Sequence, residues 1–160
     1  MAMNHVAALK GLIGETNVLQ DDIDKYKNDW LHSYSGGGVV CLPRSTEEVS
    51  SLLSYCNKHF IGVVPQGGNT GLVGGGIGRN DSEVILSLEK LNKIVELDPD
   101  SAVLVCEAGC VREALDSYAA ERDYTVPLDL GSKGSCMIGG NIGTNAGGLR
   151  VLRYGSLHHF

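Results

Sequence analysis

The chain has 160 residues, 22 of them Gly and only 4 Pro, with 42% hydrophobic and 20% charged side chains. That balance excludes collagen, which needs Gly at every third position, and disorder. Nineteen Asp and Glu against thirteen Lys and Arg give a net charge of −6, which opposes attraction to nucleic acid or an anionic membrane surface, so neither partner is expected.

The first forty residues carry the least signal. Val6, Leu9 and Ile13 mark a short amphipathic helix, and the stretch around Asp21–Asp29 is polar and acidic; residues 1–34 read as a helical leader to a domain over residues 35–160. These first residues have no long apolar core and no Arg, so neither a secretory signal nor a transit peptide is expected, and no run in the chain reaches transmembrane length. Val39 to Leu42 read as a strand. After Pro43, Ser45-Thr46-Glu47-Glu48 is a capping box opening a helix whose stripe is Val49, Leu52, Leu53, Cys56 and Phe60. Strands follow at Ile61–Pro65 and Val84–Leu88, separated by a glycine loop over Gln66–Gly76. Ile94–Leu97 and Ala102–Cys106 flank Asp98-Pro99-Asp100-Ser101 and should pair as a hairpin. A second helix runs from Val111 to Arg122 with Val111, Leu115 and Tyr118 inward. The fold class is therefore α+β. From Val126 onward there is no long helix or strand, which is too much irregular chain for a compact domain unless it wraps a ligand or is incomplete. The five cysteines form no C-x-x-C pair and read as reduced structural thiols, and the five histidines have no metal-ligand spacing.

Eight of the 22 glycines lie between Gly62 and Gly78 and eight more between Gly131 and Gly155, and neither window holds a carboxylate. Their only charged side chains are Lys133, Arg150 and Arg153, all basic. Glycine lets main-chain N–H groups converge on one concavity, which suits an anion where no lysine cluster supplies charge. Glycine loops also serve tight turns alone, but two carboxylate-free loops favour an anion, and a diphosphate-containing ligand is inferred. No G-x-G-x-x-G, Gly-Lys-Ser/Thr or G-x-S-x-G is present, so Rossmann, P-loop and nucleophile-elbow sites are disfavoured.

Val64-Pro65-Gln66-Gly67-Gly68-Asn69-Thr70-Gly71-Leu72-Val73-Gly74-Gly75 resembles the pyrophosphate loop of flavoproteins of the vanillyl-alcohol oxidase and para-cresol methylhydroxylase (PCMH) type. The run Pro127 to Gly148, continuing through Arg153-Tyr154-Gly155-Ser156-Leu157-His158, is similar to the second flavin segment of the D-2-hydroxyglutarate dehydrogenases in that family, more so than to its lactate and glycolate dehydrogenases. Asn28-Asp29-Trp30 and Pro43-Arg44-Ser45-Thr46-Glu47-Glu48-Val49 also fit. The resemblance implies a PCMH-type FAD-binding domain with its first α+β subdomain complete and its second truncated, and FAD held between them. It implies Pro65, Gln66, Gly67, Gly68, Asn69, Thr70, Gly71 and Leu72 at the pyrophosphate. Pro127, Leu128, Gly134, Ser135, Gly139, Gly140, Thr144, Asn145, Gly147, Gly148 and Gly155 would lie along the second flavin segment. Covalent relatives carry a His after the paired glycines; here Asn69 stands there, so non-covalent FAD is expected. Family chemistry is hydride transfer from C2 of a D-2-hydroxy acid to the flavin, with electrons passed to an electron-transfer flavoprotein in the mitochondrion. Family members continue into a cap that carries metal ligands, a carboxylate-binding arginine and the base, so this chain is expected to be a partial, inactive portion with no catalytic or metal-binding residue of its own. The alternatives are a D-lactate or glycolate dehydrogenase portion and a non-catalytic binding module.

Overall fold

The computed structural model describes residues 2–159; Met1 and Phe160, the outer ends of the expected leader and domain, lie outside them. The chain divides into two compact units, residues 1–90 and 91–160.

The first unit is built on a four-stranded sheet in the order β1 (Val18–Leu19), β2 (Val39–Cys41), β4 (Val84–Ser87), β3 (Val63–Gln66). The strands β2, β4 and β3 run parallel and β1 pairs antiparallel to β2. Both central strands, β2 and β4, are buried along their whole length, as a parallel strand covered on both faces should be. Alternation then divides them. Val39, Cys41, Val84 and Leu86 face the helices α1 (Val6–Ile13) and α3 (Thr46–Lys58) in one cluster with Leu9, Ile13, Leu52 and Cys56. Val40, Leu42 and Ile85 turn to the other face with Tyr26 of α2 (Asp24–Lys27). Within the first unit α1 supplies Val6, Leu9 and Ile13 to the core, and β1 is an edge strand of the sheet.

Ser45 caps α3 as expected, its Oγ accepting from Glu48 N–H at 3.2 Å, while the Glu48 carboxylate reaches back to Arg44 N–H at 2.7 Å. The inward stripe ends earlier than expected. Phe60 has φ 54° and is 97% exposed, because the chain leaves the helix through this left-handed residue. Ile61 N–H bonds back to Cys56 O at 2.9 Å, and Ile61 takes the buried place. Leu53 is likewise exposed.

All five cysteines are free thiols. Burial, reinforced by Cys56 nearby, pushes the Cys41 thiol from 9.0 up to about 12. The unfolded thiol ionises at the lower value, so the neutral buried form stabilises fully below pH 9.0, and that contribution is lost as pH rises toward about 12. Native Cys41 is expected to resist thiol reagents at pH 8, with the urea midpoint falling across that alkaline window. Labelling of native Cys41 at pH 8 would contradict this placement.

The second unit opens with the hairpin β5 (Ile94–Asp98) and β6 (Val103–Cys106), its register interrupted between Ile94 and Glu96. The helix α4 (Arg112–Ala120) follows, with Arg112, Leu115 and Ala119 buried. Val111 and Tyr118, expected inward, are only half-buried; the Arg122 guanidinium lies 3.7 Å from the Tyr118 ring centroid. Among the described residues beyond it are the short helices α5 (Ile138–Gly143) and α6 (Val151–Tyr154) and a 3-10 turn at Leu157–His159, with isolated bridges from Val111 to Met137 and Asp129 to Gly148.

Candidate functional site

The first glycine window leaves the end of β3, where Pro65 is exposed and Gln66 is 2% exposed. Gln66 Nε2 donates to Tyr26 O at 2.8 Å and to Gly76 O at 2.7 Å, so the amide points into the protein and staples both ends of the loop. Asn69 adopts φ 52°, a conformation Asn tolerates better than most residues. Its Nδ2 donates to Asn28 O at 2.6 Å and Lys25 O at 3.2 Å. With the Gln66 and Asn69 amides bonded to carbonyls of the chain, the glycines of the loop leave its main chain open. Among the described residues no backbone carbonyl accepts from the N–H groups of residues 67–76. A Cβ on Gly71 or Gly75 would meet nothing within 4 Å. Leu72 and Val73 are exposed beside them, and Gly67, Gly68 and Thr70 are half-buried. An open cavity of about 460 Å³ adjoins the loop, lined by Gly68, Asn69, Lys25, Asn28, Asp29 and Trp30 among others. Gln66→Leu is expected to destabilise the first unit by about 2 kcal/mol through two lost hydrogen bonds. Urea denaturation checks this, and an unchanged midpoint would remove Gln66 from its stapling role.

The second window is held against α4. Arg112, 2% exposed, pairs with Asp116 at 3.2 Å and donates to Val126 O at 2.9 Å, while Asp116 Oδ1 accepts from Val126 N–H at 3.2 Å. This clamp delivers Pro127 half-buried and Leu128 fully into the core. Cys136 O accepts from Arg112 N–H, and Gly139 N–H donates to Ala108 O at 2.8 Å. Gly134 and Ser135 lie on an exposed turn.

The predicted glycines here are of two kinds. A Cβ on Gly139 would strike Ala108, one on Gly148 the Asp129 main chain, and one on Gly155 the His159 ring, so packing within the chain already requires these three. Gly147 comes close to Val151. Gly140 and Gly143 have open space where a Cβ would sit. Thr144 Oγ1 donates to Gly140 O at 2.9 Å, and Asn145, at φ 51°, accepts from His158 N–H at 3.0 Å. Arg150 pairs with Asp129 at 3.7 Å, and the Arg153 guanidinium lies 5.1 Å from the Tyr154 ring centroid. Sequence reasoning missed the Arg112–Asp116 clamp and Asn141, which is 7% exposed with Oδ1 unpartnered. The signal for Asn141 was its place between Gly140 and Gly143.

In the first unit, main-chain donors without a backbone acceptor and open glycines fit a group that carries a diphosphate. Among the described residues no cluster of three or more metal-ligating side chains occurs, and no helix is long and apolar enough to cross a membrane. A family profile described as FAD binding domain matches residues 38–160. The chain belongs to this FAD binding domain family. FAD is thus the cofactor of its family, and the α+β architecture is the PCMH type. The chain is 53% identical over 156 residues to a protein of Oryza sativa subsp. indica named probable D-2-hydroxyglutarate dehydrogenase, mitochondrial. It is 51% identical over 156 residues to the D-2-hydroxyglutarate dehydrogenase, mitochondrial, of Arabidopsis thaliana. Each alignment covers 96% of this chain and 28% of the relative, so the chain spans little more than a quarter of those proteins. A solved structure of alkyldihydroxyacetonephosphate synthase superposes on 98% of the chain and 31% of its own length, with TM-score 0.84 and 19% identity, a likeness of fold.

Proposed function

We propose that this chain is the FAD-seating portion of a mitochondrial D-2-hydroxyglutarate dehydrogenase. The observation that carries the reading is the loop of residues 67–76, whose N–H groups meet no backbone acceptor among the described residues while the Asn69 amide is spent on Asn28 O and Lys25 O. Those N–H groups would donate to the FAD diphosphate, and Gly71 would leave the approach open. Residues 134–148 of the second unit would contact the flavin. Arg112 and Asp116 would fix that segment, and Leu128 would anchor it through the core. FAD is held non-covalently in this reading: Asn69 offers a carboxamide instead of a nucleophile, and its Nδ2 is engaged by two carbonyls. Bound FAD supplies the two-electron acceptor for oxidising the C2 hydroxyl of D-2-hydroxyglutarate to 2-oxoglutarate, with an electron-transfer flavoprotein as the onward acceptor in the complete enzyme.

The test is titration of the purified chain with FAD, followed by flavin fluorescence. Saturable binding is expected, weak enough to be lost on gel filtration, with all flavin released on denaturation. No binding up to millimolar FAD would overturn the reading, and flavin retained by the denatured chain would overturn its non-covalent part.

A further inference from the structure

We infer that Tyr34 is a positioning residue for the diphosphate loop, its ring holding Gly74 so that residues 70–75 keep one arrangement before the ligand arrives. The inference rests on the reading of that loop as part of the FAD seat and adds a residue that sets its shape. Six of the ten residues in 67–76 are glycine, so a free loop would lose much chain entropy on closing round a ligand. Affinity then depends on how much of that ordering the fold has already achieved. The loop is tied at Gln66, whose amide bonds Gly76 O, and at Asn69. Between those ties residues 70–73 make no backbone hydrogen bond among the described residues, and the Leu72 and Val73 side chains are exposed. Gly74 is the next hold. A Cβ built on it would come within 2.8 Å of Tyr34 Cγ, 3.0 Å of Cδ2 and 3.2 Å of Cδ1, so the ring lies against its bare main chain. Gly74 also adopts φ 69°, where a residue with a side chain would be strained as well as obstructed.

Tyr34 is itself fixed. Its N–H donates to Asp29 Oδ1 at 2.8 Å, and its carbonyl accepts from Asp29 N–H at 3.0 Å. Asp29 is 2% exposed, and Asn28 and Ser35 form an antiparallel bridge beside the pair. The turn of residues 28–35 thus grips the loop at two places: Asn28 O holds the Asn69 amide at 2.6 Å, and the Tyr34 ring covers Gly74. The ring makes the second contact, so the hydroxyl is dispensable to it.

Three measurements on the purified chain test this: FAD titration, the ligand-free Tm and the rate of subtilisin cleavage. Tyr34→Ala is expected to weaken FAD binding about tenfold, because the loop must then be ordered by the ligand. Tyr34→Phe keeps the ring and should bind FAD as the wild type does. Leu31→Ala, at an exposed position of the same turn, should do so too. The ligand-free Tm of Tyr34→Ala should stay close to that of the wild type, since Tyr34 is 51% exposed. Subtilisin should cut the ligand-free Tyr34→Ala chain within residues 67–76 faster than it cuts the wild type. Equal FAD binding by wild type and Tyr34→Ala overturns the inference, as does an equal rate of cleavage. Binding by Tyr34→Phe or Leu31→Ala as weak as that of Tyr34→Ala overturns it as well, because the ring on Gly74 would not be the cause. A marked fall in the ligand-free Tm of Tyr34→Ala makes Tyr34 structural and has the same consequence. If the wild type binds no FAD at all, the functional reading itself falls and takes this inference with it.

Discussion

Gly36→Ala is expected to lower the unfolding free energy of the first unit by roughly 3 kcal/mol or more. A Cβ at this position would collide with the carbonyl oxygen of Gly78 and come within 2.9 Å of its carbonyl carbon. Both obstacles are backbone, so no rotamer change relieves the clash. The contact is reciprocal, because a Cβ on Gly78 would strike Gly37 O, and Gly37 N–H donates to Gly78 O at 3.0 Å. These two stretches of main chain lie at van der Waals contact just before β2 and at the exit of the glycine loop, and separating them disturbs both. Gly11→Ala is the control. It lies within α1 with nothing within 4 Å of a Cβ, so it should raise stability by about 0.5–1 kcal/mol through helix propensity. Urea denaturation of the two variants decides. A Gly36→Ala loss below about 1 kcal/mol would mean that the 36–78 contact yields readily.

Gly36 also shows where legibility in the sequence stops. Hydrophobic alternation and capping chemistry are local, so β2, α3, the β5–β6 hairpin and the α+β class could be read directly. The parallel pairing of β3 with β4 is not local, and neither is the packing that makes Gly36, Gly78 or Gly139 obligatory, since the obstructing atoms belong to distant residues. The place of α1 is not local either: the helix is short, and it joins the core by packing with residues of α3 and the sheet. Phe60 fits the 3.6-residue period, but a left-handed exit from the helix carries it outward. In the candidate site, motif resemblance located the two windows but could not sort their side chains by role. Gln66, Asn69, Thr144 and Asn145 all look like cofactor contacts by type, yet each spends hydrogen-bonding capacity on the chain itself.

The same sorting gives the sharpest test of the pyrophosphate loop. Gly71→Val is expected to leave the ligand-free fold intact and to reduce FAD affinity at least about 100-fold, equivalent to about 2.7 kcal/mol. Gly71 is exposed, has no positive φ, and has nothing within 4 Å of a built Cβ, so the folded chain can accept the side chain without strain. Replacing Gly also restricts the unfolded chain, so stability should hold or rise slightly. Bulk at Gly71 would stand where a diphosphate must approach the N–H groups of residues 67–72, and an anion kept away from those donors has no nearby lysine cluster to replace them. Gly68→Val, beside the open cavity, should likewise reduce FAD affinity. The outcome separates ligand access from folding because Gly36→Ala should lose stability first, whereas Gly71→Val should lose only the flavin. A stable Gly71→Val chain that binds FAD as the wild type does would sink the pyrophosphate assignment, and a destabilised one would show that the space beside Gly71 is needed by the fold itself.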